Sequence, residues 1–152
     1  MNRSFTIGAL ARGTDCPPET IRFYEREGLL PPAARTAGNY RLYGTPHVER
    51  LVFIRNCRSL DMTLDEIKQL LRFRDVPQSE CSAAHALIDE HIVHIGERIA
   101  ELEQLQRQLL ALRRQCQPIG DAKKCAILDR LEQKPASPPQ TKKAKAHIRG
   151  SH

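Results

Sequence analysis

The chain contains no tryptophan, and only three tyrosines and four phenylalanines among its 152 residues. With 28% of residues charged, this shortage of aromatics suits a helical protein with an extended, solvated surface. No run approaches the roughly 18 apolar residues of a membrane-crossing helix. The N-terminal apolar stretch within MNRSFTIGALARGTD is too short for a secretory signal, so a cytoplasmic location is expected. In that compartment cysteines serve as reduced thiols or ligands. An odd number, five, also argues against a disulfide framework. No Ser/His/Asp set, phosphate-binding loop or paired-carboxylate cleft is apparent, so an enzyme is not expected.

Charge is unevenly divided. Residues 1–75 hold 12 Lys/Arg and 9 Asp/Glu, residues 76–133 hold 7 and 9, and residues 134–152 hold 5 and 0. A basic N-terminal part followed by an acidic middle fits nucleic-acid binding joined to a partner-binding element.

Along the chain, Thr6-Ile7-Gly8-Ala9-Leu10-Ala11 reads as a capped short helix and Gly13-Thr14-Asp15 as a turn. Pro17 and Pro18 fit the first turn of a second helix, where missing N–H groups matter least. Gly28 stops that helix after Glu27. Two short helices about a Gly-containing turn make a helix-turn-helix. Residues Thr36–Tyr43 read as a small hairpin, or wing, with Gly38-Asn39 in its turn. Pro46 opens a third helix with Thr45 as its cap. Thr63-Leu64-Asp65-Glu66 is a capping box for a fourth helix that presents Leu64, Ile67, Leu70 and Leu71 to a core and ends at Asp75-Val76-Pro77.

Beyond it, Ile88, Ile92, Ile95, Ile99 and Leu102 alternate spacings of four and three, and Leu109 returns after Gln106. That is a coiled-coil seam of about three to four heptads. Too little apolar chain remains to cover such a helix, which predicts a homodimer. The expected organisation is a winged helix-turn-helix DNA-binding domain (1–75), an antiparallel coiled-coil dimerisation helix (76–116), a metal-binding loop and short helix (117–133), and a disordered basic tail (134–152). The tail ends in Arg149-Gly150-Ser151-His152, which resembles an expression tag. The fold class is mostly α.

Cys81 and Cys116 bracket the long helix, and Cys125 follows after eight intervening residues. Residues 81 to 116 span about 52 Å of helix, so those two thiols of one chain cannot share a small ion. In an antiparallel pair, Cys81 of the partner subunit lies beside Cys116 and Cys125. Three thiols then converge at each end of the dimer and select a soft or borderline ion. Cys16 and Cys57 read as small, partly buried residues. His85, His91 and His94 read as helix residues rather than ligands.

Three separated motifs occur in order before the long helix. They are Glu19-Thr20-Ile21-Arg22-Phe23-Tyr24-Glu25-Arg26-Glu27-Gly28-Leu29-Leu30, then Gly38-Asn39-Tyr40-Arg41-Leu42-Tyr43, then Arg55-Asn56-Cys57-Arg58-Ser59-Leu60-Asp61-Met62-Thr63-Leu64-Asp65-Glu66-Ile67. With them, residues 5–131 resemble the MerR family of bacterial transcription regulators. A second helix in the major groove can present Thr20 and Arg22 to bases and phosphates. Tyr40 and Arg41 on the wing can reach the flanking backbone, and Arg55 and Arg58 can hold phosphates. Phe23 and Asn39 complete the candidate DNA-binding set. Tyr24 fits either a core position or, by the resemblance, a hydroxyl facing a phosphate.

The resemblance also bears on the effector. A cysteine at the start of the dimerisation helix, here Cys81, marks divalent-ion sensors of the family, where copper(I) sensors carry Ser. Zinc sensors carry a His in the metal loop, and Gln117 to Lys124 contains none. The four clustered cysteines of the iron–sulfur branch and the large effector domain of drug-binding members are absent. Leu87-Ile88-Asp89-Glu90-His91-Ile92 and Cys125-Ala126-Ile127-Leu128 are similar to the lead- and cadmium-responsive branch. The implied effector is therefore Pb2+ first, Cd2+ close behind and Hg2+ third. The implied mechanism is a homodimer on a palindromic operator. It holds RNA polymerase at a promoter with an overlong spacer, and metal binding distorts the DNA to activate transcription. A thiol redox sensor on the same fold, and a metal-sequestering protein with vestigial DNA binding, are the alternatives.

Overall fold

The computed structural model describes residues 3–76, 78, 80–116, 120 and 125–133. The expected basic tail and most of the expected metal loop lie outside these residues. The chain divides into two units, Met1–Leu87 and Ile88–His152.

The first unit opens with α1, Ile7–Thr14, capped by the Thr6 hydroxyl, which accepts the Ala9 N–H at 3.3 Å. The turn that follows is not Gly13-Thr14-Asp15. Thr14 remains helical because its hydroxyl donates back to the Leu10 carbonyl at 2.7 Å, and the chain reverses at Asp15, which adopts a left-handed φ of 49°. Helix α2, Pro18–Arg26, begins with proline in its first turn. It ends where Gly28 takes φ 73°, a conformation that carries no Cβ penalty only in glycine. The N–H groups of Leu29 and Leu30 then close onto the Tyr24 carbonyl at 2.9 and 3.2 Å.

The wing is the antiparallel pair β1, Ala34–Arg35, and β2, Arg41–Leu42, with Ala34 opposite Leu42 and Arg35 opposite Arg41. Phe5 bridges Tyr43 through two backbone hydrogen bonds of 2.7 and 2.9 Å, which anchors the N-terminal segment at the wing's base. Helix α3 spans Thr45–Ser59. Its cap is Gly44 rather than Thr45: the extended Gly44 precedes the helix, Thr45 is already helical, and the His47 ring accepts the Gly44 N–H at 3.1 Å. Helix α4, Leu64–Asp75, starts with the expected capping box: the Thr63 N–H donates to the Glu66 carboxylate at 2.7 Å and the Glu66 N–H to the Thr63 hydroxyl at 3.2 Å.

One apolar cluster joins these helices. Leu10, Ile21, Leu29, Tyr43, Leu51, Ile54, Met62, Ile67 and Leu71 are sealed from solvent, with Leu87 at the cluster's edge. Sealing each such aliphatic side chain contributes on the order of 1.5–3 kcal/mol. Arg50 adds a polar brace, donating to the Leu29 carbonyl at 2.6 Å and to both Asp75 carboxylate oxygens at 2.7 and 2.8 Å.

Helix α5 runs unbroken over 34 residues, Cys81–Arg114. In the second unit it carries Ile88, Ile92, Ile99, Leu102, Leu105 and Leu109 exposed. Helix α6, Ala126–Glu132, follows Cys125. No helix among the described residues is long and apolar enough to cross a membrane.

Candidate nucleic-acid interface and metal site

Helix α2 turns Arg22 to solvent, leaves Thr20 and Phe23 half-buried, and sends Ile21 and Tyr24 inward. Phe23 packs against the core from its half-buried position. Tyr24 is 7% exposed, and burial raises its hydroxyl above the usual tyrosine range. Of its two readings, the structure places it in the core.

The wing is held by a small set of cross-turn bonds. The Thr36 N–H donates to the Tyr40 carbonyl at 2.9 Å, and the Tyr40 N–H to the Thr36 hydroxyl at 3.1 Å. The Arg35 guanidinium donates to the Asn39 side-chain oxygen at 2.9 Å and its carbonyl at 3.3 Å. Asn39 sits at φ 64°, which asparagine tolerates better than most residues. A Cβ at Gly38 would stand 3.3 Å from the Tyr40 ring, close enough that the ring would have to shift by a few tenths of an ångström. Tyr40 is left 74% exposed. Arg22 from α2, Asn39, Tyr40 and Arg41 from the wing, and Thr6 and Ile7 at the start of α1 line a groove of about 280 Å³.

The other two arginines are engaged elsewhere. Arg55 donates to the Thr14 carbonyl at 2.6 Å and pairs with Asp15 at 3.1 Å, bracing α3 against the α1–α2 turn. Arg58 donates to the Met62 carbonyl at 2.7 Å, which closes the turn between α3 and α4. Their positions therefore differ from those of Arg22 and Arg41, which share the groove.

Glu25 and Arg35 did not emerge from the sequence as site residues. Glu25 stands one turn after the buried Ile21, and that spacing is the signal that it points inward. Its side chain is 13% exposed and its Oε2 lies 3.6 Å from Arg41 Nε. Glu25 Oε1 and the Tyr43 hydroxyl are both buried, and the hydroxyl faces the Glu25 carboxylate. Burial first, and then the adjacent Glu25 carboxylate, push the Tyr43 hydroxyl up to about 12.

In the second unit, Cys116 Sγ and Cys125 Sγ are 3.7 Å apart. That is far beyond a disulfide bond of about 2.05 Å. It is the distance of a weak S–H···S contact between two neighbouring thiols. The Cys125 thiol is pulled below its usual range by the Leu128 backbone N–H, then by the Cys116 thiol and the Ile127 N–H. An acidified thiol favours the thiolate that binds metal. Cys81 is the first residue of α5 and is exposed. Cys16 and Cys57 are buried, and burial raises both thiols.

Two short helices about a tight turn, followed by a two-stranded wing, define a winged helix-turn-helix DNA-binding fold, and a pair of neighbouring thiols lies in the other unit. Residues 5–73 match the MerR HTH family regulatory proteins, and residues 48–112 match the family described as MerR, DNA binding. The chain belongs to the MerR family: it is a metal-responsive, DNA-binding transcriptional regulator and not an enzyme. It is similar to the solved transcription regulator PbrR691 from Ralstonia metallidurans CH34, in complex with lead(II), with 49% identity and a TM-score of 0.73, over 84% of this chain and 98% of that one. It is also similar to the solved dual-function regulator MerR from Bacillus megaterium MB1, in complex with mercury(II), with 32% identity and a TM-score of 0.64, over 85% of this chain and all of that one. Among curated relatives, the ZntR homolog of Haemophilus influenzae is 46% identical over 107 residues, 70% of this chain and 79% of that protein.

Proposed function

We propose that this regulator senses a soft divalent ion, Pb2+ or Cd2+ ahead of Hg2+, through three thiolates: Cys116 and Cys125 of one protomer and Cys81 of the partner subunit. The approach of Cys116 to Cys125 at 3.7 Å, with the Cys125 thiol acidified, carries this reading. Similarity to a regulator solved with lead(II), at 49% identity, supports placing lead first. Antiparallel pairing of α5 supplies the third thiol. Two heads then sit on successive half-sites of a palindromic operator, with Thr20, Arg22, Asn39, Tyr40 and Arg41 toward the DNA. Arg55 and Arg58 brace the helix-turn-helix through the Thr14 and Met62 carbonyls and are the further arginines assigned to phosphates. Metal binding favours one arrangement of the two heads, distorts the promoter and lets the bound RNA polymerase start.

A reporter driven by the cognate promoter, titrated with lead, cadmium, mercury, zinc and copper salts side by side, tests this. Lead or cadmium should induce at the lowest concentration. Cys81→Ser, Cys116→Ser and Cys125→Ser should each abolish induction while sparing DNA binding. Normal induction of the Cys81→Ser variant would remove the intersubunit site. The same 3.7 Å separation favours a redox alternative, in which oxidation joins Cys116 to Cys125. Induction by peroxide in metal-free medium would select it.

A further inference from the structure

Arg41 is shared by two grooves. One is the groove of Arg22, Asn39 and Tyr40; the other, of about 290 Å³, is lined by Glu25, Arg26, Pro32, Ala33, Arg35 and Arg41. Its side chain therefore stands as the partition between them. On the inner side it meets Glu25 through Nε, at 3.6 Å from Oε2. The two partners differ in exposure: the Glu25 side chain is 13% exposed and that of Arg41 is 40% exposed. An enclosed carboxylate is costly without a cation, and beside it the neutral Tyr43 hydroxyl supplies no positive charge. Arg41 is thus tied to Glu25. A guanidinium carries five N–H donors in a rigid fork. A tie through Nε leaves the two terminal amino groups for a second anion.

We propose that Glu25 is a positioning residue for DNA binding: it pairs with Arg41 on the Nε side, joins the wing to α2, and so sets the terminal amino groups of Arg41 toward the groove it shares with Arg22. Glu25 itself touches no DNA. The carboxylate sits on α2 and the guanidinium on β2, so their contact fixes the spacing of two elements that meet the duplex separately. Lysine could not replace Arg41, since a single ammonium cannot hold Glu25 on one side and a phosphate on the other in a fixed plane. The proposal rests on the reading that Arg22 and Arg41 contact phosphates.

The test uses the full-length dimer and a fluorescein-labelled palindromic duplex selected by the wild-type protein from a random-sequence pool. Binding is followed by anisotropy across a salt series, with circular dichroism as a check on folding. Arg41→Ala should weaken binding about tenfold and make the log–log salt slope shallower by about one, the loss of one phosphate contact. Glu25→Ala should reproduce both changes. The double variant should bind no more weakly than Arg41→Ala alone, because the two residues act as one unit. Glu25→Gln keeps the shape but removes the charge, and since the contact is an ion pair at 3.6 Å rather than a hydrogen bond, it should bind about as weakly as Glu25→Ala. Arg41→Lys retains the charge and leaves the enclosed Glu25 in place, and should bind about as poorly as Arg41→Ala. Wild-type or tighter binding by Glu25→Ala, full activity of Arg41→Lys, or multiplicative effects in the double variant would each overturn the proposal. Unchanged binding by Arg41→Ala would instead strike down the phosphate reading on which it rests.

Discussion

In the unit that ends at Leu87, Leu10, Ile21, Leu51, Ile54 and Ile67 are sealed from solvent, whereas in the unit that follows, Ile92, Ile99, Leu102, Leu105 and Leu109 are each at least half exposed. Both units contain aliphatic residues at regular spacing. The first is built of four short helices and a wing that converge on one cluster. Among its described residues the second has one long helix and one short one, and much of the long helix's apolar seam lies exposed. The contrast separates a head that carries its own core from an element whose apolar seam is finished by a second copy of the chain. It also separates two uses of cysteine. Cys16 and Cys57 fill space inside the head, while Cys116 and Cys125 stand together at a site that solvent can reach.

The strongest way to break this comparison is to charge the seam. Leu102→Glu combined with Leu109→Glu should convert the dimer to a monomer by light scattering and weaken operator binding on the order of a hundredfold or more, through loss of two-site avidity. A dimer that survives both charges would show that the seam lies elsewhere. Within the head, Leu51→Ala removes packing at a site with no solvent access and should cost about 2–5 kcal/mol in denaturant unfolding. A cost of only a few tenths would mean that the cluster is not the head's support. A smaller loss, about 1 kcal/mol, is expected for Thr63→Ala, which removes one half of the capping box of α4 without touching the core. The mildest perturbation compares the two kinds of thiol. Because Cys125 is acidified and Cys16 and Cys57 are raised, iodoacetamide should label Cys125 well before the other two, and its labelling should reach a plateau at a lower pH. Mass spectrometry of a time course reads the order directly, and early labelling of Cys57 would contradict it.

Much of this arrangement could be read from local pattern. The Thr63–Glu66 capping box, the stop at Gly28, the wing about Gly38-Asn39 and the 4-3 spacing from Ile88 to Leu102 each depend on residues a few positions apart. Helices and turns are specified at that range. The misplacements were also local: Thr14 was kept in α1 by its own hydroxyl, and Gly44 took the capping role through the His47 ring. The candidate site was only half legible. Arg22, Arg41, Arg55 and Arg58 look alike in a basic sequence. Yet Arg22 and Arg41 meet at one groove, and Arg55 finds the Thr14 carbonyl 41 positions away.

The order of elements, the division between a basic head and a long apolar seam, and the cysteine spacing that calls for a second chain were all set by the sequence, because each arises from neighbours along the chain or from helical period. Tertiary structure alone decided that Tyr24 belongs to the core, that Arg55 and Arg58 brace the head, that Glu25 lies enclosed beside Arg41, and that Cys116 meets Cys125 across the intervening residues. Burial and pairing of this kind depend on which groups approach through space, and that is established only when the packed elements exclude water and fix the remaining distances.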